Sequence, residues 1–308
     1  TFVYLEAIRS RRYTAASLVD DAPEVDGTWR PQDSHKGALA GAVPMRDALA
    51  RSLNLPAVKV IRDVGPEAVT ALAAQLGISS TLEPVPALAL GASAVSPLEL
   101  ASAYGAIAAG GIAHKPWVVS RVRAPDGSEI PLLGRTGTRV VTEEEAYIVT
   151  SMLGSVIEYG TGVEALSLAR PAAGKTGTSN DAKDAWFAGY TPDFVAAVWV
   201  GFDDAHSLGA KEYGARAALP IWIEFMKTAH KGLPVRDFIV PPGIVTAVVD
   251  PATGLLAFEG QGGAREEVFI DGTAPTETAL SPGEVSLDAF LLEQAVGGGR
   301  DAGPDGGP

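Results

Sequence analysis

Ala172-Ala173-Gly174-Lys175-Thr176-Gly177-Thr178-Ser179-Asn180-Asp181, continued by Lys183-Asp184-Ala185-Trp186-Phe187-Ala188-Gly189-Tyr190, is the stretch on which the reading of this chain turns. It sets a cation, two hydroxyls and a glycine in four consecutive positions. Small residues on both sides let a substrate backbone come close, and Gly177 has no side chain to block that approach. A strand built this way presents an anion-binding edge able to pair with a peptide.

Three readings compete for it. Gly-Lys-Thr also ends a phosphate-binding loop, but that loop needs a glycine five residues before Gly174, where Ala169 stands, and the following segment must be a helix. Here the aromatic-rich residues after Asp184 read as strand. In a second reading Lys175 is a solvated lysine at a turn and the threonines are ordinary strand formers. In the third the motif resembles the Lys-Thr-Gly element of the penicillin-recognising serine enzymes. The rest of the chain decides among them.

Length and composition narrow the classes. The 308 residues suffice for one large domain with appendages, and a net charge of −13 with no basic stripe argues against nucleic-acid binding. With no cysteine there is no disulfide scaffold, thiolate zinc site or thiol nucleophile. The histidines, His35, His114, His206 and His230, are scattered and lack metal-ligand spacing, so neither a metal nor a cofactor is expected. No apolar run reaches membrane-spanning length. The chain opens without Met on a helical apolar pattern, Phe2, Leu5 and Ile8, and reads as starting inside an element.

Helical signals dominate the first half. A long Asp-, Pro- and Gly-rich excursion from Ser17 to Ala42, including Trp29-Arg30-Pro31-Gln32, precedes a short helix over Pro44 to Arg51. Ser52-Leu53-Asn54-Leu55-Pro56 then reads as a cap-and-turn pair at a helix break, or as an extended link with two polar side chains on one side. A helix starts at Gly65-Pro66-Glu67 and closes at Gly77, and another has a Ser96-Pro97-Leu98-Glu99 cap and an alanine-rich core face. Strands at Trp117–Val119 and Arg121–Arg123 approach a turn at Pro125-Asp126-Gly127, giving an expected hairpin. Thr142-Glu143-Glu144-Glu145 caps a helix that runs to Gly160, with Thr161-Gly162 ending it just before the Lys175 strand. The strand at 194–201 forms an antiparallel pair with the one before it, and an apolar helix begins at Pro220. Short strands follow at Val245 to Val249 and Glu267 to Ile270, and beyond about Gly297 the composition is that of a solvated tail.

In this order the signals resemble the transpeptidase domain of class A (bifunctional) penicillin-binding proteins. Besides Ser52-Leu53-Asn54 and Lys175-Thr176-Gly177-Thr178, the resemblance rests on Leu88-Ala89-Leu90-Gly91 with Ser96 to Ala101, Gly160-Thr161-Gly162 with Arg170 to Lys175, Asp184 to Tyr190, Trp199-Val200-Gly201 and Pro220-Ile221-Trp222. It covers most of residues 1–275. It implies an α/β (α+β) fold of the penicillin-binding-protein transpeptidase and serine β-lactamase type, an antiparallel sheet flanked by helices. The expected divisions are a transpeptidase domain over 1–235, a β-rich extension over 236–296 and a disordered tail over 297–308.

The resemblance also implies an acylated serine in Ser-x-x-Lys, and no serine of this chain has lysine three positions on. In the family that element precedes Phe-Val-Tyr-Leu, so its expected place is immediately before Thr1 and the chain is expected to be a fragment, inactive by itself. Ser52, Asn54 and Lys175 are the implied catalytic residues, Thr176, Gly177 and Thr178 the substrate-binding ones, and the Thr178 N–H part of the oxyanion hole. The implied ligands are peptidoglycan stem peptides and β-lactams. The implied parent has an upstream glycosyltransferase domain, a membrane anchor holding it at the outer face of the cytoplasmic membrane, and partners among the cell-wall synthesis proteins. A D,D-carboxypeptidase or β-lactamase on the same scaffold, and a non-catalytic sensor or scaffold, are the rivals.

Overall fold

The spacing of Phe2, Leu5 and Ile8 forms α1 (Phe2–Arg9), whose Val3, Tyr4, Leu5, Ala7 and Ile8 are all buried, so it is a core helix with Arg9 favourably placed at its carbonyl end. This is a computed structural model and describes residues 1–22, 41–132, 136–209 and 211–281. The excursion around Trp29 and the expected tail over 297–308 lie outside the described residues. β1 (Leu18–Asp20) and β2 (Ala42–Pro44) pair antiparallel and lead into α2 (Met45–Arg51), α3 (Asn54–Val64) and α4 (Pro66–Gln75). Gly77, at φ +111°, turns the chain beyond α4 as a left-handed stop requires.

α5 (Pro97–Ala108) starts with the predicted reciprocal cap: Ser96 Oγ accepts from the Glu99 N–H, and the Glu99 carboxylate accepts from the Ser96 N–H. Four short strands follow, β3 (Ile112–Ala113), β4 (Val122–Arg123), β5 (Glu129–Ile130) and β6 (Thr138–Arg139), pairing β3 with β6 and β4 with β5. The hairpin at Pro125-Asp126-Gly127 is therefore narrower than expected. Trp117–Val119 stay out of its ladder, and Val118 is fully exposed, so no packed face rewards a strand there. α6 (Glu143–Glu158) has the same reciprocal cap at Thr142 and Glu145. Its end is not followed directly by a strand, because a 3-10 segment at Val163–Leu168 and a left-handed Ala169, φ 52°, intervene.

The central sheet has the order β7-β8-β9, all antiparallel, from β7 (Ala173–Thr178), β8 (Asp184–Tyr190) and β9 (Val195–Gly201). Cross-strand partners share a face, so Lys175, Ala188 and Ala197 point to one side and Thr176, Phe187 and Val198 to the other. On the first side Ala188 and Tyr190 join the large core built from α1 to α6. On the second, after α7 (Gly214–Ala217), the apolar stripe of α8 (Leu219–Ala229) covers Phe187, whose ring meets that of Trp222 at 4.9 Å. Helices on both faces leave β7 with one unpaired edge among the described residues.

β10 (Ile244–Val249) and β11 (Arg265–Ile270) form an antiparallel hairpin that packs Ile244, Val268 and Ile270 against the main core. Charge holds it as well. The Glu267 carboxylate, 0% exposed, accepts both Nε, at 2.8 Å, and Nη2 of Arg46 from α2. Arg46 also donates to Ser151 O at 2.8 Å and to Ser155 Oγ at 2.9 Å on α6, so one guanidinium joins three elements.

Candidate active site

At the unpaired edge of β7, Lys175 Nζ donates to Ser52 Oγ at 2.7 Å and to Thr176 O at 3.0 Å. The two residues are far apart in sequence and meet because α2 and β7 both pack on α6. Ser52 is the C-terminal cap of α2 and lies in the left-handed region, φ 59°, ψ 45°. The link to Asn54 is therefore not extended: Ser52 N donates to Leu49 O and Leu53 N to Ala48 O, so the chain folds back over the helix end. A glycine relieves strain at such a position, yet here the side chain is kept and its oxygen meets the lysine. Asn54 opens α3 two residues on and is half-buried.

Along β7 the hydroxyls diverge. Thr176 Oγ1 lies 2.7 Å from Thr161 Oγ1 and 3.4 Å from Lys175 Nζ. Thr178 is exposed, and its Oγ1 accepts from Gly214 N at 3.1 Å, which leaves its own proton for a ligand. Gly177 sits between them against Trp186, where a Cβ would come within 3.1 Å of the tryptophan Cβ. A side chain there would also press on the neighbouring strand.

Burial lowers the Lys175 ammonium from 10.5 to about 8, although the residue as a whole is only half-buried. The N-terminal end of α1 shares this space. Thr1 lies within electrostatic reach of Lys175, and its Oγ1 hydrogen-bonds Tyr104 Oη on α5 at 2.6 Å. Burial pushes the Tyr104 phenol up to about 12, so it stays protonated. Among the described residues no group of three His, Asp or Glu side chains is arranged to hold a metal ion.

Sequence reasoning gave Gly160 and Thr161 no role at the site, although both belong to the segments that carry the resemblance. Gly160 approaches α2 so closely that a Cβ there would lie 2.2 Å from Ala50 O, and Thr161 N donates to the same oxygen at 3.1 Å. The Gly160-Thr161-Gly162 run was legible as a helix stop. Its partner Ala50 was not, because an ordinary alanine in a short helix carries no signal.

This arrangement has counterparts. Residues 1–227 match the family described as penicillin binding protein transpeptidase domain, and residues 240–280 match the C-terminal domain of penicillin-binding protein 1A. Penicillin-binding protein 1A of Pseudomonas aeruginosa is 36% identical over 92% of this chain and 41% of its own length. That of Aquifex aeolicus is 35% identical over 89% of this chain and 38% of its own. The chain thus spans about two-fifths of the length of these curated relatives. The crystal structure of penicillin-binding protein 1A from Haemophilus influenzae superposes with a TM-score of 0.81 at 31% identity, covering 91% of this chain and 48% of that one. PonA1 from Mycobacterium tuberculosis in complex with penicillin V gives 0.71 at 28% identity, covering 78% of this chain and 70% of that one. With the fold, the Lys-Thr-Gly strand and the matched residues in agreement, the chain belongs to the penicillin-binding-protein transpeptidase family.

Proposed function

We propose that the groove at β7 is the acyl-transfer site of a peptidoglycan D,D-transpeptidase that β-lactams block, within a bifunctional parent. The observation that carries this reading is the 2.7 Å contact between Lys175 Nζ and Ser52 Oγ beside an unpaired strand edge. A stem peptide ending in D-alanyl-D-alanine pairs with that edge, and its terminal carboxylate takes hydrogen bonds from Thr176 and Thr178 near the Lys175 charge. The acylated serine belongs to a Ser-x-x-Lys that the parent supplies ahead of Thr1, at the end of α1 that lies beside Lys175.

Serine attack on the peptide carbonyl, with the serine proton passing to the lysine of the same Ser-x-x-Lys, from which Ser52 is resupplied once it has given up its own, yields an oxyanion stabilised by the N–H of Thr178, a donor worth about 2.7–4 kcal/mol in comparable sites. Ser52, whose oxygen accepts from Lys175, retains its own proton and passes it to the departing D-alanine nitrogen. Asn54 holds the substrate amide and the lysine of the parent's Ser-x-x-Lys. An amine of a neighbouring stem peptide then attacks the acyl-serine and forms the cross-link. In this reading the parent works at the outer face of the cytoplasmic membrane, with a glycosyltransferase domain and an anchor of its own, among the cell-wall synthesis proteins. The division into a transpeptidase domain over 1–235 and a β-rich extension over 236–296 is part of the same proposal.

Covalent labelling by a fluorescent penicillin tests it. The full-length protein is expected to label, its Lys175→Ala variant to lose most of the rate, and the 308-residue chain, which has no Ser-x-x-Lys, to stay unlabelled. Unchanged acylation in Lys175→Ala removes the role given to the lysine, and labelling of the 308-residue chain means that the nucleophile lies elsewhere.

A further inference from the structure

Gly160-Thr161-Gly162 ends α6 and is one of the segments that carry the family resemblance, and in the structure Thr161 touches both halves of the groove. Its N–H donates to Ala50 O at 3.1 Å, in the last turn of α2 and two residues before Ser52. Its hydroxyl lies 2.7 Å from Thr176 Oγ1, one residue after Lys175. The turn itself is held rigidly. Gly162 N donates back to Val156 O at 2.8 Å, and Gly160 has no room for a side chain against Ala50.

The direction of the hydroxyl pair follows from proton accounting. Lys175 Nζ has only protons to offer, so at its 3.4 Å approach the Thr176 oxygen is the acceptor. Each hydroxyl has one proton. If Thr176 gave its proton to Thr161, it would have none for an anion in the groove. If Thr161 donates instead, Thr176 Oγ1 accepts twice and its own O–H is left to point at a ligand carboxylate, each bond polarising the next.

We infer that Thr161 is a positioning residue: its hydroxyl donates to Thr176 and so aims the Thr176 O–H at the carboxylate of a bound peptide, while its N–H keeps the Ser52 end of α2 in register with β7. This rests on the reading of the groove as a site for a peptide ending in a carboxylate. Thr161 itself touches no substrate and acts through Thr176.

The probes are N-acetyl-D-alanyl-D-alanine and its C-terminal amide, titrated into the 308-residue chain and followed by NMR. The wild-type chain is expected to prefer the acid. Thr161→Val keeps the shape and the backbone N–H but loses the hydroxyl, and should shrink the acid-to-amide affinity ratio by roughly five- to tenfold, the scale of one misdirected hydrogen bond. Thr161→Ser should restore the ratio, and Thr161→Ala should lose it as Val does. A residue with a purely structural role would weaken acid and amide alike and leave the ratio alone. An unchanged ratio in either hydroxyl-less variant overturns the inference, and so does a Thr161→Val chain that fails to fold, since the hydroxyl would then serve the fold. A wild-type chain with no preference for the acid instead removes the peptide-site reading, so the two failures are told apart.

Discussion

Replacing Glu267 with alanine is expected to destabilise the whole chain, although the residue lies on the C-terminal hairpin and far in sequence from the core helices. Its carboxylate is 0% exposed and takes two hydrogen bonds from Arg46 and one from Val268 N at 2.9 Å. Without it the buried Arg46 charge keeps, among the described residues, the neutral partners Ser151 O, Ser151 Oγ and Ser155 Oγ. Breaking a buried pair from one side costs about 3–5 kcal/mol, and the surviving neutral bonds place this case near the lower end. In a chain of this size that is a fall in melting temperature of roughly 5 °C. Thermal unfolding followed by circular dichroism measures it. The control is Arg46→Met with Glu267→Leu, which removes both charges, fills the space and should recover most of the loss. A single variant that melts within about 2 °C of wild type, or a double variant as unstable as the single one, refutes the reasoning.

Three further outcomes follow from the site. Because the Lys175 ammonium titrates at about 8 instead of 10.5, penicillin acylation of the full-length protein should fall as pH rises through about 8. Stability should move the other way, since between those values the unfolded chain binds the extra proton and folding gains as pH rises; a joint decline of rate and melting temperature refutes this. Ser52→Gly should relieve the left-handed strain at φ 59° and leave the fold as stable or about 1 kcal/mol more so, while acylation drops; denaturant midpoints and labelling rates give the two readings. Gly160→Ala places a carbon 2.2 Å from Ala50 O and should cost about 1–3 kcal/mol with loss of the Ser52–Lys175 contact, read as a lower urea midpoint together with slower labelling.

What could be read in the sequence was whatever has a local cause. Serine or threonine followed three residues later by glutamate fixes a helix start wherever it falls, and the starts of α5 and α6 lie where Ser96 and Thr142 put them. The β8 to β9 turn and the α8 stripe were equally legible, because alternation and helical spacing record which face is buried. The link at Ser52 was less so. Two polar residues flanking Leu53 fit an extended link as well as a helix cap, and the left-handed turn goes with the bonds that the helix-end carbonyls of Ala48 and Leu49 take from Leu53 N and Ser52 N, which any residue at 52 could make. Trp117–Val119 misled for the opposite reason: strand-forming residues were present, but Val118 is fully exposed and Trp117 and Val119 are only about half covered, so burial rewards no strand there. The Gly160–Ala50 contact and the Arg46–Glu267 pair left no trace in pattern, since each joins residues that look ordinary at their own positions.

Those two contacts explain how the groove keeps a geometry that its own residues resist. A serine in the left-handed region and an ammonium enclosed by protein both work against folding. Neither is stabilised by its immediate surroundings alone. α2, which ends on Ser52, is only 7 residues long, too short to hold itself, so its position depends on what grips it. Arg46 grips one end through Glu267 and α6, and Tyr159 Oη and Arg265 Nη1 reach Asp47 one residue on, each at 2.8 Å. Thr161 grips the other end through Ala50 O. Loosening either grip lets Ser52 relax away from Lys175 before the core melts. The 2.7 Å contact should therefore be lost at a lower denaturant concentration than the helices of the main core, as hydrogen exchange at Ser52 and Leu53 compared with Leu153 in α6 would register. Simultaneous exchange of all three would mean that α2 is held by the core alone, and that the hairpin and the Gly160 turn add nothing to the site.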